Sequence, residues 1–354
     1  MSKHKRITIR DVAREAAVSS ATVSYVFNGK KELPKETKAR VIAAIDKLDY
    51  VPNMNARGLS SDSLLIGVLI PQTEPGSRLM FENVFYGEIL GSIEFEARNA
   101  GYHLLISGAG INENYIRLAR KRSLDGIIAI GVYPDDSLRE IEKSAIPLVL
   151  IDSYCGEIND GPPVQPPNVR IDDIYGSCLA ASYLIEKGHE NIAFFCGKLH
   201  GKGVMEKRLE GYRKAVEEHG LRFNRKNVFE GTISFESGRL LAEALLDSRQ
   251  KKVSAIFAAA DVLALGAMKM FSERNMGIPS DISVMGFDDL KISRYMIPAL
   301  TTIRQDVALK GKIAVELLVE KIKNPDIAPR EEILDVEIVE RGSVRDLAGG
   351  RRQL

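Results

Sequence analysis

Residues 9–29 read IRDVAREAAVSSATVSYVFNG, and this stretch decides the architecture of the first fifty residues. Ile9, Val12, Ala13 and Ala16 recur at the spacing of one helix face. Thr8 with Asp11 three positions on has the arrangement of a capping box, which satisfies free N–H groups at a helix start. Ala17-Val18 reads as a tight turn. Ser19 then caps a second helix carrying Val23, Val26 and Phe27, and Asn28-Gly29 ends it. A third helix begins after Pro34, with Ala39, Ile42, Ile45 and Leu48 as its apolar face. Two helices joined by a short turn, the second rich in Ser and Thr, have the build of a helix-turn-helix. The start of the second helix offers N–H groups and a positive dipole end to a phosphate. Ser19, Thr22 and Ser24 add hydroxyls for backbone oxygens, while Ser20, Ala21 and Tyr25 project toward base edges. A three-helix bundle that touches no nucleic acid has the same periodicity, so pattern alone leaves both readings open.

Charge is unevenly spread. Of 49 basic and 48 acidic residues, residues 1–60 hold 12 and 6, a net of +6; the rest hold 37 and 42, a net of −5. A basic head on a mildly acidic body fits a nucleic-acid contact confined to the head, although short basic termini are often merely solvated. Cys155, Cys178 and Cys196 are too few and too scattered for a disulfide framework or a zinc site. The basic start, Met1 to Arg6, leads into no signal-like apolar run, and no stretch approaches the ~18 apolar residues of a membrane span. The expectation is a cytoplasmic protein with no membrane partner.

Residues 50–61, interrupted by Pro52 and Gly58, read as a linker able to form a helical turn or two but not to hold them alone. From Leu64 strands alternate with helices. Leu64–Pro71, Leu104–Ser107, Gly126–Gly131, Ile146–Asp152, Ile192–Cys196, Ala255–Ala259 and Ser283–Phe287 are apolar strand runs, and Gly87–Ala100 is an amphipathic helix. Such alternation predicts parallel sheets covered by helices, and the length suits two lobes. The Pro-rich segment 156–168 reads as a surface loop near their boundary.

Ligands of open α/β sheets bind beyond the carboxyl ends of the strands, and between two lobes the cleft is the default site. Candidates are therefore Phe85, Tyr86, Asp152, Arg208, Asp261 and Asp288. An aspartate accepts two hydroxyl hydrogens, and an arginine donates several N–H bonds in fixed geometry. The plainer roles are a surface ion pair for Arg208, a helix cap for Asp288 and core packing for Phe85 and Tyr86. Asp125 reads as structural, as does His189. There is no phosphate loop, metal-spaced His/Cys cluster or nucleophile elbow. No cofactor, no metal and no enzymatic activity are therefore expected.

The run 9–29, the run Leu48–Asn53, and the body runs Ser283–Asp289 and Pro298–Gln305 together resemble the LacI (lactose repressor) family, and the resemblance extends to about Arg341. It implies an all-α helix-turn-helix head plus an α/β, two-lobed, periplasmic-binding-protein-like body with parallel sheets. It implies base contacts from Ser20, Ala21 and Tyr25, and phosphate contacts from Ser19, Thr22, Ser24 and Asn28. Ala56 and Leu59 fall where the family's hinge helix enters the minor groove, the leucine wedging between base pairs to bend the duplex. In the body, Arg208 and Asp288 match positions that hold the effector, usually a sugar or a purine. The resemblance thus implies a transcriptional repressor whose partners are operator DNA and a small molecule, a carbohydrate or derivative.

Several positions depart from the family pattern. Ala17 stands where glycine is common, and Tyr25, which cannot make arginine's bidentate contact to guanine, stands where arginine is common. Gly58 weakens the hinge by ~1 kcal/mol, favouring one that folds only on DNA. Ala260 replaces an asparagine, and Ile233 stands where a ring often stacks on a sugar. An additional residue lies between Gly197 and Arg208, in a stretch where Lys202 would suit an anionic or phosphorylated effector.

The expected organisation is a head at 1–49, a hinge at 50–63, a body at 64–346 and a tail at 347–354. The first lobe is placed at about 64–172 with 304–324, and the second at about 173–303 with 325–346. One reading helix covers only half an operator, so a homodimer on a pseudo-palindromic site is expected. The tail, without leucine heptads, carries no tetramerising signal. A transport-type solute-binding protein would share the body but lack the head. An α/β enzyme with a regulatory head would need a catalytic set in the cleft.

Overall fold

The computed structural model describes residues 8–28, 33–48, 50, 64–72, 83–110, 119, 122–131, 135–144, 146–154, 166–199, 203–248 and 253–348. Two compact units divide the chain, one holding residues 1–63 with 114–124 and the other 64–113 with 125–354.

In the first unit, α1 (Ile9–Glu15), α2 (Ser20–Asn28) and α3 (Lys35–Lys47) close on a small core of Val12, Ala13, Ala16, Val23, Val41, Ala44 and Tyr50. The carboxylate of Asp11 accepts the backbone N–H of Thr8 at 2.9 Å and its hydroxyl at 2.6 Å, tying down the start of α1. Ala17 turns the chain between α1 and α2 with φ at 52°, a left-handed conformation that costs a residue with a Cβ roughly 1–2 kcal/mol. The buried stripe of α3 differs from the expected one. Val41 and Ala44 are buried, whereas Ala39 and Ile42 face outward, because the helix presents the 37-41-44-48 row to its neighbours. Tyr50 belongs to this core rather than to the linker. The hinge residues Ala56, Gly58 and Leu59 lie outside the described residues.

The second unit holds two six-stranded sheets. The first contains β1 (Leu64–Gln72), β2 (Tyr102–Gly110), β3 (Gly126–Ile130), β4 (Leu148–Ile151), β5 (Asn168–Ile171) and β11 (Glu331–Leu334), in the order β11-β5-β4-β3-β1-β2 and parallel throughout. The second contains β6 (Ile192–Gly197), β7 (Val228–Gly231), β8 (Ala255–Ala258), β9 (Ser283–Asp288), β10 (Thr301–Gln305) and β12 (Val336–Val339), in the order β12-β10-β9-β8-β6-β7. It is parallel except at its edge, where β12 runs antiparallel to β10. The central strands β3, β4, β6, β8 and β9 are buried along their whole length, as expected for parallel sheets covered on both faces.

Helices α4 (Val84–Asn99) and α10 (Val307–Lys323) pack together in the core of the first lobe, and α5 (Asp135–Lys143) joins β3 to β4. In the second lobe α6 (Asp173–Glu186) and α7 (Val204–Glu218) cover one face of the sheet. The other face is covered by α8 (Phe235–Asp247) and α9 (Asp261–Glu273). The last pair approaches so closely that a Cβ on Gly238 would stand 2.2 Å from the carbonyl oxygen of Leu263.

The chain passes between lobes three times: from β5 to α6, from β10 to α10, and at Asp335 between β11 and β12. The last crossing corrects the expected boundary, which assigned 325–346 to the second lobe. The run Glu331–Val339 is one extended, alternating stretch whose first half hydrogen-bonds to β5 and whose second half hydrogen-bonds to β10. Its side-chain pattern carries no mark of the switch.

Candidate functional site

The lobes meet where their strands end, and three aspartates there stand in left-handed backbone. Asp152 follows β4 with φ at 53°, Asp288 ends β9 with φ at 124°, and Asp289 follows at 56°. Three non-glycine residues in left-handed backbone cost on the order of 1–3 kcal/mol each and mark a place where side-chain direction outweighs backbone comfort.

Arg208, buried on α7, is the centre of the second-lobe wall. Its Nε donates to Asp173 at 2.7 Å, and its Nη1 donates to the carbonyl of Ala259 at 2.6 Å and to Asp288 Oδ1 at 3.4 Å. Its guanidinium lies 3.6 Å from the ring centroid of Phe287, a stacking that adds to the charge interactions. Asp288 Oδ1 also accepts from Gln305 Nε2 at 2.6 Å. Gln305 Oε1 accepts from Lys310, whose ammonium donates as well to Asp152 Oδ1 at 2.6 Å. Two residues beyond Asp152, the Tyr154 hydroxyl donates to Asp173 Oδ2 at 2.7 Å. The bonds thus run from Asp152 through Lys310, Gln305, Asp288, Arg208 and Asp173 to Tyr154. They pass between lobes at Lys310–Gln305 and again at Asp173–Tyr154.

The first-lobe wall is completed by Phe85 and Tyr86 in the first turn of α4, their rings edge to face at 5.8 Å between centroids. Burial, followed by the carboxylates of Asp152 and Asp288, pushes the Tyr86 phenol up to about 12, so it stays protonated and able to donate. Burial also raises Asp152 and Asp288 above the usual carboxylate range, opposed by Lys310 at Asp152 and by Arg208 at Asp288. The site can therefore offer hydroxyl-accepting carboxylates on both walls, a guanidinium and a phenol, beside apolar rings.

Phe85, Tyr86, Asp152, Arg208 and Asp288 come together here. Asp261 points elsewhere: its carboxylate accepts Leu290 N–H at 2.9 Å and the hydroxyls of Ser293 and Thr302 at 2.6 Å each, so its oxygens hold the segment after β9 and the start of β10. Ile233, half-buried, packs against the second-lobe core beside Gly197. Lys202 lies outside the described residues. Sequence reasoning did not single out Asp173, Tyr154, Gln305 or Lys310. In Lys310 a signal was present: a lysine standing in the apolar stripe of α10, between Val307 and Ala314.

In the head, Ser19 Oγ accepts the backbone N–H of Thr22 at 3.1 Å and lies 2.9 Å from its hydroxyl, capping α2. Ala21 and Tyr25, four residues apart, are exposed on one face of α2, and Ser20 and Ser24 are half-buried beside them. The side chain of Asn28 lies outside the described residues. Among the described residues no helix is long and apolar enough to cross a membrane.

A helix-turn-helix head on a two-lobed body with a polar interlobe cleft is the build of a DNA-binding regulator that carries a small-molecule site. Residues 8–53 match the family described as bacterial regulatory proteins, lacI family, and residues 181–344 match the periplasmic binding protein-like domain. The chain is 33% identical over 348 residues to the HTH-type transcriptional repressor PurR of Vibrio atlanticus, spanning 96% of this chain and 99% of the relative. It is 32% identical over 348 residues to the ribose operon repressor of Haemophilus influenzae, with the same 96% and 99% coverage. Among solved structures, the transcriptional regulator CelR–cellobiose complex superposes with a TM-score of 0.68 at 28% identity, covering 96% of this chain and all (100%) of that one. The lac repressor dimer bound to operator and the anti-inducer ONPF gives 0.66 at 28% identity, with coverage of 96% and 100%. The chain belongs to the LacI family of bacterial transcriptional regulators.

Proposed function

We propose that the protein is a cytoplasmic repressor without enzymatic activity, which binds a pseudo-palindromic operator as a homodimer and is controlled by a sugar or sugar derivative held between the lobes. The observation that carries this reading is the buried Arg208–Asp288 pair at the strand ends, facing Asp152 and Tyr86 across the lobe boundary. In the head, Ser20, Ala21 and Tyr25 read bases, while Ser19, Thr22, Ser24 and Asn28 contact phosphates. Ala56 and Leu59 enter the minor groove in a hinge helix that folds on DNA. Tyr25 in place of a bidentate donor predicts an operator whose preference at that position rests on packing against a base rather than on guanine recognition. The effector prefers one arrangement of the lobes and thereby shifts the dimer between DNA-competent and DNA-incompetent states.

The test is selection of bound duplexes from a random pool by the purified protein, repeated with a panel of sugars and sugar phosphates. Enrichment of a palindrome whose recovery changes with one compound supports the reading. No enrichment by a folded dimer refutes the reading of the head.

A further inference from the structure

Lys310 is a fully buried ammonium in a helix position that packing alone would fill with an apolar side chain. Burying a charge is costly unless it is paired, and a buried pair is often no more stable than an apolar replacement of the same volume, so its presence calls for a role other than stability. Resting on the reading of the cleft as the effector site, we propose that Lys310 is a specificity-determining positioning residue. Its ammonium ties Asp152 on the first wall to Gln305, and through Gln305 to Asp288 on the second. The two carboxylates are thereby aimed into the cleft together, which selects an uncharged polyhydroxy ligand over its phosphate ester.

The donor and acceptor inventory supports this selection. Asp152 and Asp288 each use Oδ1 within the network, and among the described residues none donates to either Oδ2. Among the described residues nothing accepts from Arg208 Nη2. Two acceptors on opposite walls and one donor between them match a ligand bearing several hydroxyls, each able to donate and accept.

A phosphate meets the opposite conditions. The two buried cations among the described residues are committed, Arg208 to Asp173, Ala259 and Asp288, and Lys310 to Asp152 and Gln305. Three carboxylates, Asp152, Asp173 and Asp288, face these two cations. Two of the helix N-termini at the strand ends carry aspartates of their own, Asp173 on α6 and Asp261 on α9, which oppose an anion there, whereas the first turn of α4 holds no acid.

The experiment titrates the full-length protein calorimetrically with pentoses, hexoses and disaccharides, each beside its phosphate ester and its 2-amino derivative, and with purine bases. Wild type, Lys310→Met, Lys310→Gln and Asp288→Asn are compared. An uncharged sugar is expected to bind at least ten-fold more tightly than its ester. Lys310→Met is expected to weaken that sugar ten-fold or more while weakening its amino derivative less, because a ligand ammonium supplies the missing cation; a purely structural lysine would leave this ratio unchanged. Lys310→Gln, which keeps hydrogen bonds but not the charge, is expected to fall between and keeps the test decisive should Lys310→Met not fold. An unmoved sugar affinity or ratio in these variants overturns the proposal. An ester or a purine base bound instead, and lost in Asp288→Asn, overturns it while leaving the cleft as the effector site. No binding by the folded protein to any compound overturns both.

Discussion

Removing the Arg208 side chain is the sharpest perturbation the structure offers. Arg208→Ala deletes the donors to Asp173, Ala259 and Asp288 together with the stacking on Phe287, and leaves two carboxylates buried without their cation. Breaking a buried ion pair by deleting one partner costs about 3–5 kcal/mol, chiefly from the uncompensated charge left behind. At ~2–4 °C per kcal/mol for a body of this size, the melting temperature should fall by roughly 10 °C near pH 8. The loss should depend on pH. Asp288 is already raised above the ordinary carboxylate value by burial. A raised carboxylate contributes stability that is present below its unfolded pKa and lost as pH rises through its folded pKa. Deleting Arg208 raises Asp288 further, so the variant should regain part of its deficit at pH 5.5, where the proton takes the place of the cation. Arg208→Lys keeps the charge but not the planar fork or the stacking, and should recover about half. Calorimetry of the three proteins at both pH values decides the matter. A deficit equal at pH 8 and 5.5, or below about 2 °C at pH 8, would show that Arg208 is not the counter-ion of this cluster.

Ala17→Gly removes a left-handed Cβ at the helix-turn-helix corner; the strain relieved, less the added freedom of the unfolded chain, should stabilise the head by roughly 0.5–1 kcal/mol, read as slower proteolysis within residues 8–50, and faster proteolysis would refute it. Gly238→Ala pushes a Cβ to 2.2 Å from the Leu263 carbonyl and should destabilise the body by about 3 kcal/mol in urea denaturation. Gly91→Ala on α4, with nothing within 4 Å of the added carbon, should instead be neutral or stabilising, and a similar loss in both would remove the close α8–α9 approach as the cause.

What was legible in the sequence was whatever local periodicity encodes. The face of α1, the capping pair Thr8–Asp11 and the apolar strands β1, β3, β4, β6, β8 and β9 follow from spacing of side chains that all point one way or are all buried. The short edge elements did not announce themselves. β5 is four residues following a proline-rich stretch of sequence, and β11 and β12 form one alternating run split only by which sheet each half pairs with. Strand-end reasoning singled out Asp152 and Asp288, which the structure brings to the lobe boundary, because a sheet's carboxyl edge is a property of chain order. The same rule brought in Asp261, whose carboxylate turns back to hold Leu290, Ser293 and Thr302. Nothing in a sequence distinguishes an aspartate aimed at a cleft from one aimed at its own loop. Lys310 and Asp173 were missed for a related reason: each gains its meaning from a partner 158 or 35 residues away.

The bonded path from Asp152 to Tyr154 also bears on regulation. A ligand shifts a conformational equilibrium only to the extent that it binds one state better than the other. Here the acceptors nearest the cleft, Asp152 and Asp288, stand on different lobes. The link between them crosses the lobe boundary at Lys310–Gln305, and the return crosses it at Tyr154–Asp173. A ligand bonded to both aspartates is therefore bound well only in arrangements that keep those crossings near their present geometry, so its affinity differs between lobe arrangements by construction. If the head's grip on DNA responds to the same arrangement, linkage requires the operator to change effector affinity by the same factor as the effector changes operator affinity, typically 5–150-fold. Titrating effector into the free protein and into its operator complex measures both factors. Equal effector affinities in the two titrations would mean that the cleft binds its ligand without instructing the head.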